Sequence, residues 1–175
     1  MNNLLIQPVK LYEVKILSLL SLETFYEAFI WGNTEENIQS YMQYAFNEEQ
    51  LLKELNNPSS EFYFARIGES VVGYLKINSD SAQTVPVDAH ALEIERIYVL
   101  KDFRRMSIGQ LLFDKALTRA RELGNNTLWL GVWEKNEAAI KFYERNGLTS
   151  FSAHTFMVGD DEQTDIMMKV NLFEQ

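Results

Sequence analysis

The chain has 175 residues, of which 25 are acidic and 16 are basic, so its formal net charge is −9. This charge argues against general nucleic-acid binding through phosphate neutralisation and suits a cationic substrate better. Cysteine is absent, which excludes disulfides, thiolate metal sites and a cysteine nucleophile. The two histidines, His90 and His154, form no metal-binding motif, so we expect no metal.

Length and hydropathy pattern favour one folded domain over residues 1–175. Hydrophobic residues make up 46% of the chain, which is ordinary for a globular protein, and no repeat or proline-rich linker divides it. No apolar run approaches the ~18 residues of a membrane span, and the N-terminus lacks the order of a signal peptide. We therefore expect a cytoplasmic protein that does not bind a membrane. A homodimer is a possible assembly.

The N-terminal third of the chain predicts one strand and three helical segments. The strand covers residues 4–10, and an apolar helix follows over residues 12–29. Asn33, with a glutamate three residues later, resembles a capping box that opens a second helix ending at Phe46. Asn47 repeats this pattern before a third helix.

A hairpin and a long polar loop lead to the central strand. Strands over residues 62–67 and 71–78 flank a glycine-containing turn, which is typical of a hairpin. Residues 79–89 are polar and predict a loop. The central strand covers residues 92–99, and a helix with apolar side chains at helical spacing follows over residues 108–123.

The last third of the chain predicts a strand, a helix and a terminal hairpin. The strand covers residues 128–133, and Asn136 caps the helix, which ends at an Asn-Gly pair. Strands over residues 149–158 and 166–172 form the hairpin across an acidic loop, residues 159–165. The predicted order of elements is β-αα-βββ-αβα-ββ, an α/β fold.

A basic turn, residues 104–109, lies between the central strand and the helix that follows it. Backbone N–H groups at a helix start are unpaired and carry the positive end of the helix dipole. They can therefore hold a phosphate or a pyrophosphate, and the arginines at positions 104 and 105 strengthen this interpretation.

This turn and a second segment resemble the N-acetyltransferases of the GNAT superfamily. Motif A of that superfamily reads Arg/Gln-x-x-Gly-x-Gly/Ala, which residues 104–109 match except that Ser107 replaces the first glycine. If this position needs a positive φ, a serine costs roughly 1–2 kcal/mol there. Motif B has a strand, an asparagine, a helix with a tyrosine, and a glycine in this order. Residues 127–148 follow the same order, with Asn136 and Tyr143 at the two named positions.

The resemblance implies a GNAT-like acyl-CoA acyltransferase fold, with a mixed, mostly antiparallel sheet of about seven strands flanked by helices. Within the superfamily, the chain is most similar to the PaiA-type spermidine/spermine acetyltransferases. Four stretches carry this closer resemblance: residues 24–26, 33–37, 60–64 and the acidic tail 159–165.

The resemblance also implies that the strands over residues 92–99 and 128–133 separate and admit coenzyme A between them. It places a bulge near Tyr98 or Val99, where a backbone N–H would stabilise the oxyanion. Acetyl-CoA is the implied co-substrate. The residues assigned to binding it are Ile97, Tyr98, Val99, Arg104, Arg105, Met106, Ser107, Ile108, Gly109, Gln110, Asn136 and Tyr143.

Acetyl transfer to a primary amine needs a neutral amine and a proton for the departing thiolate. An alkyl ammonium has a pKa of about 10.4, so a general base is wanted at neutral pH. Glu93 and Glu95 are candidates, because they lie on one face of the central strand. Either could instead pair with Arg96 or Lys101. Tyr143 is the candidate acid, with packing in the core as its structural alternative.

Four residues of the N-terminal helices are candidates for amine binding: Tyr26, Glu27, Trp31 and Glu36. Their carboxylates and aromatic faces could embrace a flexible polycation, and a solvated helix face is the alternative. The leading hypothesis is an enzyme that acetylates a polyamine such as spermidine or spermine by direct attack. The same chemistry on a protein N-terminus, and an acyl-CoA-binding regulatory module without turnover, are the alternatives.

Overall fold

The computed structural model describes residues 4–173 and contains a seven-stranded sheet with helices on both faces. The strands are β1 (Leu4–Pro8), β2 (Ser60–Ile67), β3 (Ser70–Asn78), β4 (Ala91–Val99), β5 (Thr127–Trp133), β6 (Thr149–Val158) and β7 (Asp161–Asn171). The helices are α1 (Val14–Phe29), α2 (Glu35–Ala45), α3 (Glu48–Leu55), α4 (Ile108–Glu122) and α5 (Glu137–Arg145). The strands lie in the order β1-β2-β3-β4-β5-β7-β6, and only β4 and β5 are parallel neighbours among the described residues. The predicted fold class is confirmed.

Alternating side chains of the central strands supply a core on each face of the sheet. Tyr63 of β2 packs with α4 on one face, whereas its neighbours Phe62 and Phe64 pack with α1 and α3 on the other. The central strands are therefore covered on both sides, which explains their nearly continuous apolar sequence. No helix in residues 4–173 combines the length and the apolar character that crossing a membrane requires.

The first strand and the first helix are each shorter than predicted. β1 ends at Pro8 instead of residue 10, although the N–H of Val9 still donates to the carbonyl of Phe62 at 2.9 Å. Residues Leu11–Glu13 form a 3₁₀ turn, so α1 begins at Val14 instead of residue 12.

Side-chain caps set the starts of α2 and α3. Thr34, not Asn33, caps α2, and its hydroxyl accepts a backbone N–H of the first helical turn at 3.3 Å. The capping box predicted at Asn33 is therefore wrong, because that side chain bonds elsewhere: it donates to the carbonyl of Phe29 at 2.9 Å and accepts from Gln163. Asn47 caps α3 as predicted, accepting a backbone N–H at 2.9 Å.

The C-terminal hairpin differs from the prediction. Its turn consists of Gly159 and Asp160, and most of the predicted acidic loop, residues 159–165, belongs to β7. Gly159 has a φ of +64°, and a Cβ there would lie 2.2 Å from Oδ1 of Asn37, so the packing of α2 requires glycine. The polar segment forms a strand because its backbone pairs with β6 over residues 161–165, and Asp165 pairs with β5 as well.

Candidate active site

The central feature of the sheet is a gap between its two parallel strands. β4 and β5 pair over residues 91–94 and 127–130, and this pairing stops before residues 95–99 and 131–133. Beyond that point β4 stays paired with β3, and β5 stays paired with β7. The predicted separation of the two strands is therefore confirmed.

A β-bulge adjoins the gap. The pairing of β4 with β3 shifts by one residue between Ile94 and Arg96, so that Glu95 is an additional residue in β4. The bulge predicted near Tyr98 or Val99 is wrong, since pairing there is regular. The shift allows the consecutive side chains of Glu95 and Arg96 to reach ion-pair partners on the same face of the sheet.

A cavity of about 650 Å³ opens at the gap, between β4, β5, the C-terminal hairpin and the N-terminal helices. Several predicted site residues line it: Glu27, Trp31, Glu93, Glu95, Ile97, Tyr98, Val99, Arg104, Asn136 and Tyr143. Tyr26 and Glu36 are outside the cavity wall. The Tyr26 hydroxyl donates instead to Glu35 at 3.0 Å. The structure thus brings together only half of the predicted amine-binding residues.

The turn at residues 104–109 adopts an unusual backbone conformation. Arg105 and Ser107 have φ values of +67° and +60°, in the left-handed region, which costs an L-residue roughly 1–2 kcal/mol. The first backbone bond of α4 joins Leu111 N to Ser107 O at 3.1 Å. The N–H groups of residues 108–110 are therefore directed out of the helix end.

The remaining residues of the predicted cofactor set form this turn and the start of α4, outside the cavity wall. They are Arg105, Met106, Ser107, Ile108, Gly109 and Gln110. The Gln110 side chain donates to Oδ1 of Asn146 at 2.7 Å and so connects α4 to the end of α5.

Arg104 connects the turn to α1. Its Nε donates to the carbonyl of Val99 at 3.1 Å, and its guanidinium lies 3.1 Å from Oε2 of Glu27. The same carboxylate oxygen accepts the N–H of Lys101 at 2.9 Å. Glu27, predicted to bind the amine, therefore holds the end of β4 and the basic turn against α1.

Glu93 and Glu95 lie next to each other, since Nδ2 of Asn78 donates to Glu93 at 3.1 Å and to Glu95 at 2.5 Å. Glu93 is 2% exposed and also accepts the N–H of Thr84 at 2.8 Å and the Thr84 hydroxyl. Burial raises the pKa of Glu93 above its usual value. The Glu93 carboxyl is therefore shielded from water and surrounded by uncharged hydrogen-bond donors. Its bonds to Thr84 hold the polar loop on β4.

Glu95 belongs to a buried network of ion pairs. Its carboxylate lies 2.5 Å from Nζ of Lys76 and 3.0 Å from the Arg96 guanidinium. Glu54 of α3 contacts the same two cations, at 2.9 Å from Lys76 and 2.8 Å from Arg96. The sequence left open that Glu95 pairs with Arg96 instead of acting as the base, and the structure shows this ion pair.

Tyr143 lies on α5, which begins after Asn136, whose side chain accepts a backbone N–H of the first turn at 3.2 Å. The tyrosine is 7% exposed, and its ring packs against Phe142 and Phe113 with centroid distances of 5.3 and 6.3 Å. Its hydroxyl has no hydrogen-bond partner in the described part of the chain. Burial raises the pKa of Tyr143, so the phenol stays protonated and can donate.

Asp165 was missed by the sequence analysis, which placed it in a loop. It belongs to β7 and lines the cavity together with His154, Phe156 and Met167. Burial raises the pKa of Asp165 to about 7. The spacing of two residues between Asp165 and Met167 is the strand signal that could have placed it on the cavity side.

The sequence also did not reveal an aromatic wall of the cavity, of which only Trp31 was predicted. The Trp133 ring lies 4.7 Å from the Trp31 ring and 5.5 Å from the Phe29 ring, measured between centroids. Trp129 and Trp133 lie four residues apart on β5 and both line the cavity. Their even spacing in a predicted strand is the signal that could have found them.

Comparison with known sequences identifies the family. The profile of the acetyltransferase (GNAT) family matches residues 22–148. An uncharacterized N-acetyltransferase of Lactobacillus delbrueckii subsp. lactis is 45% identical over 150 residues, which cover 86% of this chain and 87% of the relative. A spermidine N(1)-acetyltransferase of Thermoplasma acidophilum is 24% identical over 169 residues, which cover 90% of this chain and 95% of that protein.

Solved structures share the architecture. The crystal structure of PaiA N-acetyltransferase from Thermoplasma acidophilum in complex with coenzyme A has a TM-score of 0.80 at 20% identity, covering 97% of this chain and 99% of that chain. A GCN5-related N-acetyltransferase from Rhodopseudomonas palustris has a TM-score of 0.76 at 15% identity, covering 98% of each chain. At such identities these structures establish the fold alone. With the family profile and the 45% identical relative, the chain belongs to the GNAT family of N-acetyltransferases, whose acyl donor is acetyl-CoA.

Proposed function

We propose that this N-acetyltransferase transfers the acetyl group of acetyl-CoA to a primary amine of a polyamine such as spermidine or spermine. The observation that carries the proposal is the excess of acidic groups in the cavity at the gap. Its carboxyl groups belong to Glu27, Glu93, Glu95 and Asp165, and its guanidinium groups to Arg96 and Arg104. Such an excess of carboxyls favours a cationic ligand.

The aromatic wall supports the same substrate class. Trp31 and Trp133 present rings to a cavity that also holds carboxyl groups. Aromatic faces attract ammonium groups and pack against the methylene segments between them. The 24% identical spermidine N(1)-acetyltransferase is a further reason to expect a polyamine.

Three features of the chain suit the acyl donor. Residues 97–99 of β4 have no β5 partner, and those of their main-chain groups that are directed at the gap can bond to the amides of the pantetheine arm. The N–H groups of residues 108–110 suit a pyrophosphate at a helix start. Arg104 and Arg105 add charge beside that position. A backbone N–H near Tyr98 or Val99 is the proposed donor to the oxyanion.

Tyr143 is the proposed acid. The sulfur gains negative charge as the C–S bond breaks, and a protonated phenol can donate to it. Because burial keeps the phenol pKa above the roughly 8.5 of a thiol, the phenolate must be reprotonated promptly, and the nitrogen that becomes an amide can supply that proton. The absence of cysteine leaves direct attack of the amine as the route.

A thiol-release assay with acetyl-CoA and four acceptors tests the proposal: spermidine, spermine, butylamine and a short peptide with a free N-terminus. We expect kcat/KM for a polyamine to exceed that for butylamine by about tenfold or more, since each additional ammonium adds charge-assisted contacts. Preference for the peptide would replace the polyamine by a protein N-terminus. Binding of coenzyme A without turnover of any acceptor would indicate a regulatory module.

A further inference from the structure

The carboxyl groups of the cavity differ in their contacts. Glu27, Glu93 and Glu95 each accept at least two hydrogen bonds or ion pairs from the protein. Asp165 accepts none from residues 4–173, although it is largely enclosed in the cavity wall. Burying a polar group without a partner costs free energy. Three of the carboxyls therefore hold the fold together, and one is left facing the cavity.

Asp165 lies at the point where β4 and β5 separate. In the β5–β7 ladder it stands opposite Trp133. A Cβ on Gly131 would lie 3.0 Å from Oδ2 of Asp165, so the carboxyl passes directly over the backbone of Gly131. Gly131 is the first β5 residue beyond the last β4–β5 pair, which ends at Leu130. The missing side chain at position 131 gives the carboxyl its room at the mouth of the gap.

Asp165 shares its cavity with charged groups, but none of them pairs with it. Tyr41 of α2 and Tyr98 of β4 interact with it electrostatically. The other titratable and charged groups that line the same cavity are Glu27, Glu93, Glu95, Arg96, Arg104, Tyr143 and His154. His154 stands opposite it in the β6–β7 ladder. None of the described cations lies within ion-pair distance of Asp165, and burial raises its pKa to about 7.

We propose that Asp165 binds the reacting ammonium and removes its proton, a role that rests on the proposed acetylation of an amine in this cavity. The free carboxyl at the mouth of the gap carries the inference. Glu93 and Glu95, the bases expected from the sequence, then serve as positioning residues that hold the polar loop and β4.

The protons of the reaction balance as follows. The ammonium gives one proton to a carboxylate oxygen of Asp165, and both groups become neutral. The amine nitrogen forms the C–N bond to the acetyl carbon, which gives the tetrahedral oxyanion, and the C–S bond breaks as that oxyanion collapses. The sulfur takes the proton of Tyr143, the nitrogen returns its second proton to that phenolate, and Asp165 releases its proton to water. The products are one amide, one thiol and one proton.

Asp165→Asn tests the role, because the amide keeps the size of the side chain and cannot accept the proton. With spermidine as acceptor, we expect kcat at pH 7 to fall by roughly 10²–10⁴-fold, the usual range for a general base. The wild-type kcat/KM should rise with pH through an inflection near pH 7. The variant should lose this inflection and recover as the amine itself deprotonates near pH 10.

Three control variants separate Asp165 from its neighbours. Asp165→Glu keeps a carboxyl and should keep the inflection at a reduced rate. His154→Gln removes the only imidazole of the cavity wall and should also keep it. Glu93→Gln tests the rival base. If Glu93→Gln loses the inflection while Asp165→Asn keeps it, Asp165 is not the base.

A binding measurement separates this inference from the choice of substrate. Calorimetric titration of spermidine into the wild type and Asp165→Asn should show about tenfold weaker binding in the variant, since a charge-assisted contact is lost. If the acceptor panel selects the peptide, the same pH profiles are recorded with that peptide, and the role of Asp165 is judged on them. Near-normal kcat with an unchanged pH profile in Asp165→Asn, for the best acceptor, would overturn the proposal.

Discussion

The β4 wall of the cavity, residues 95–99, is fixed by charge pairs. Lys76 and Arg96 are 4% and 8% exposed, and each contacts the carboxylates of both Glu54 and Glu95. Buried charges are tolerated when they are paired in this way. On this wall the charged side chains have their partners within the protein, so they set its shape.

The β5–β7 wall, residues 131–133 and 163–167, is built differently. Aromatic packing and strand pairing hold it, and four polar groups on or beside it lack a partner among the described residues: the Asp165 carboxyl, the Tyr143 hydroxyl, Nε1 of Trp133 and Oε1 of Gln163. Such groups cost stability in the free protein and are available to a ligand. The comparison indicates that substitutions on the β4 wall affect mainly stability, and those on the other wall mainly turnover.

Tyr143→Phe tests the difference between the two walls and has the largest expected effect. It removes the unpartnered hydroxyl and keeps the ring packing. We expect kcat to fall by roughly 10²–10⁴-fold, with little change in KM for acetyl-CoA. The midpoint of urea unfolding should not fall, because no hydrogen bond of the protein is lost. Single-turnover kinetics exclude masking by product release, and full activity under those conditions would return Tyr143 to a purely packing role.

Glu54→Gln tests the opposite wall. Removing this charge leaves Lys76 and Arg96 buried with only Glu95, and loss of one member of a buried network typically costs about 3–5 kcal/mol. Urea denaturation measures the loss. Glu49→Gln on the same helix is the matched control, because the Glu49–Lys53 pair is exposed and solvent screens such pairs so that they contribute little to stability. Equal losses in the two variants would contradict the importance of the buried network.

The fold could be predicted because its signals are local. Apolar periodicity identified the central strands and α4, and caps such as Asn47 and Asn136 depend on a few consecutive residues. The order of the two motifs placed Tyr143 on a helix next to the cavity. The positive φ at Ser107 likewise follows from the glycine that the motif carries there.

The contacts of the charged residues could not be predicted in this way. Arg104 and Glu27 are 77 residues apart in the chain, and only the tertiary fold brings them to 3.1 Å. Asp165 escaped detection because the polar segment that ends with it pairs with β6 through its backbone and shows no apolar alternation. Pairing between residues far apart in the chain determines which carboxyls have partners within the protein. No short stretch of sequence contains this information.

The pH dependence of stability also tests the difference between the two walls, with a smaller expected effect. Asp165 has its pKa raised by burial from the usual 3.8 to about 7, so the folded state prefers the protonated form. Its contribution to stability is complete below pH 4 and is lost as the pH rises to 7. A rise of about three pKa units corresponds to a loss of at most about 4 kcal/mol in the free energy of unfolding.

Asp165→Asn lacks this titration. The difference in unfolding free energy between the variant and the wild type should therefore grow in favour of the variant between pH 4 and pH 8. Urea unfolding at several pH values measures it, and subtracting the two proteins cancels the titrations that they share. A difference that does not depend on pH would mean that Asp165 ionises as freely in the folded state as in the unfolded chain.

The smallest expected effects concern Arg104 and Arg105. Comparing the two alanine variants separates the contact that holds the turn against α1 from cofactor binding. Arg105 is exposed, so Arg105→Ala should raise KM for acetyl-CoA by about tenfold with unchanged stability, and the effect should fade at high salt. Arg104→Ala removes in addition the contact with Glu27, a partly exposed pair that contributes at most about 1 kcal/mol. It should therefore lower stability slightly as well as raise KM. Unchanged KM in both variants would leave the N–H groups at the start of α4 as the sole pyrophosphate donors of the turn.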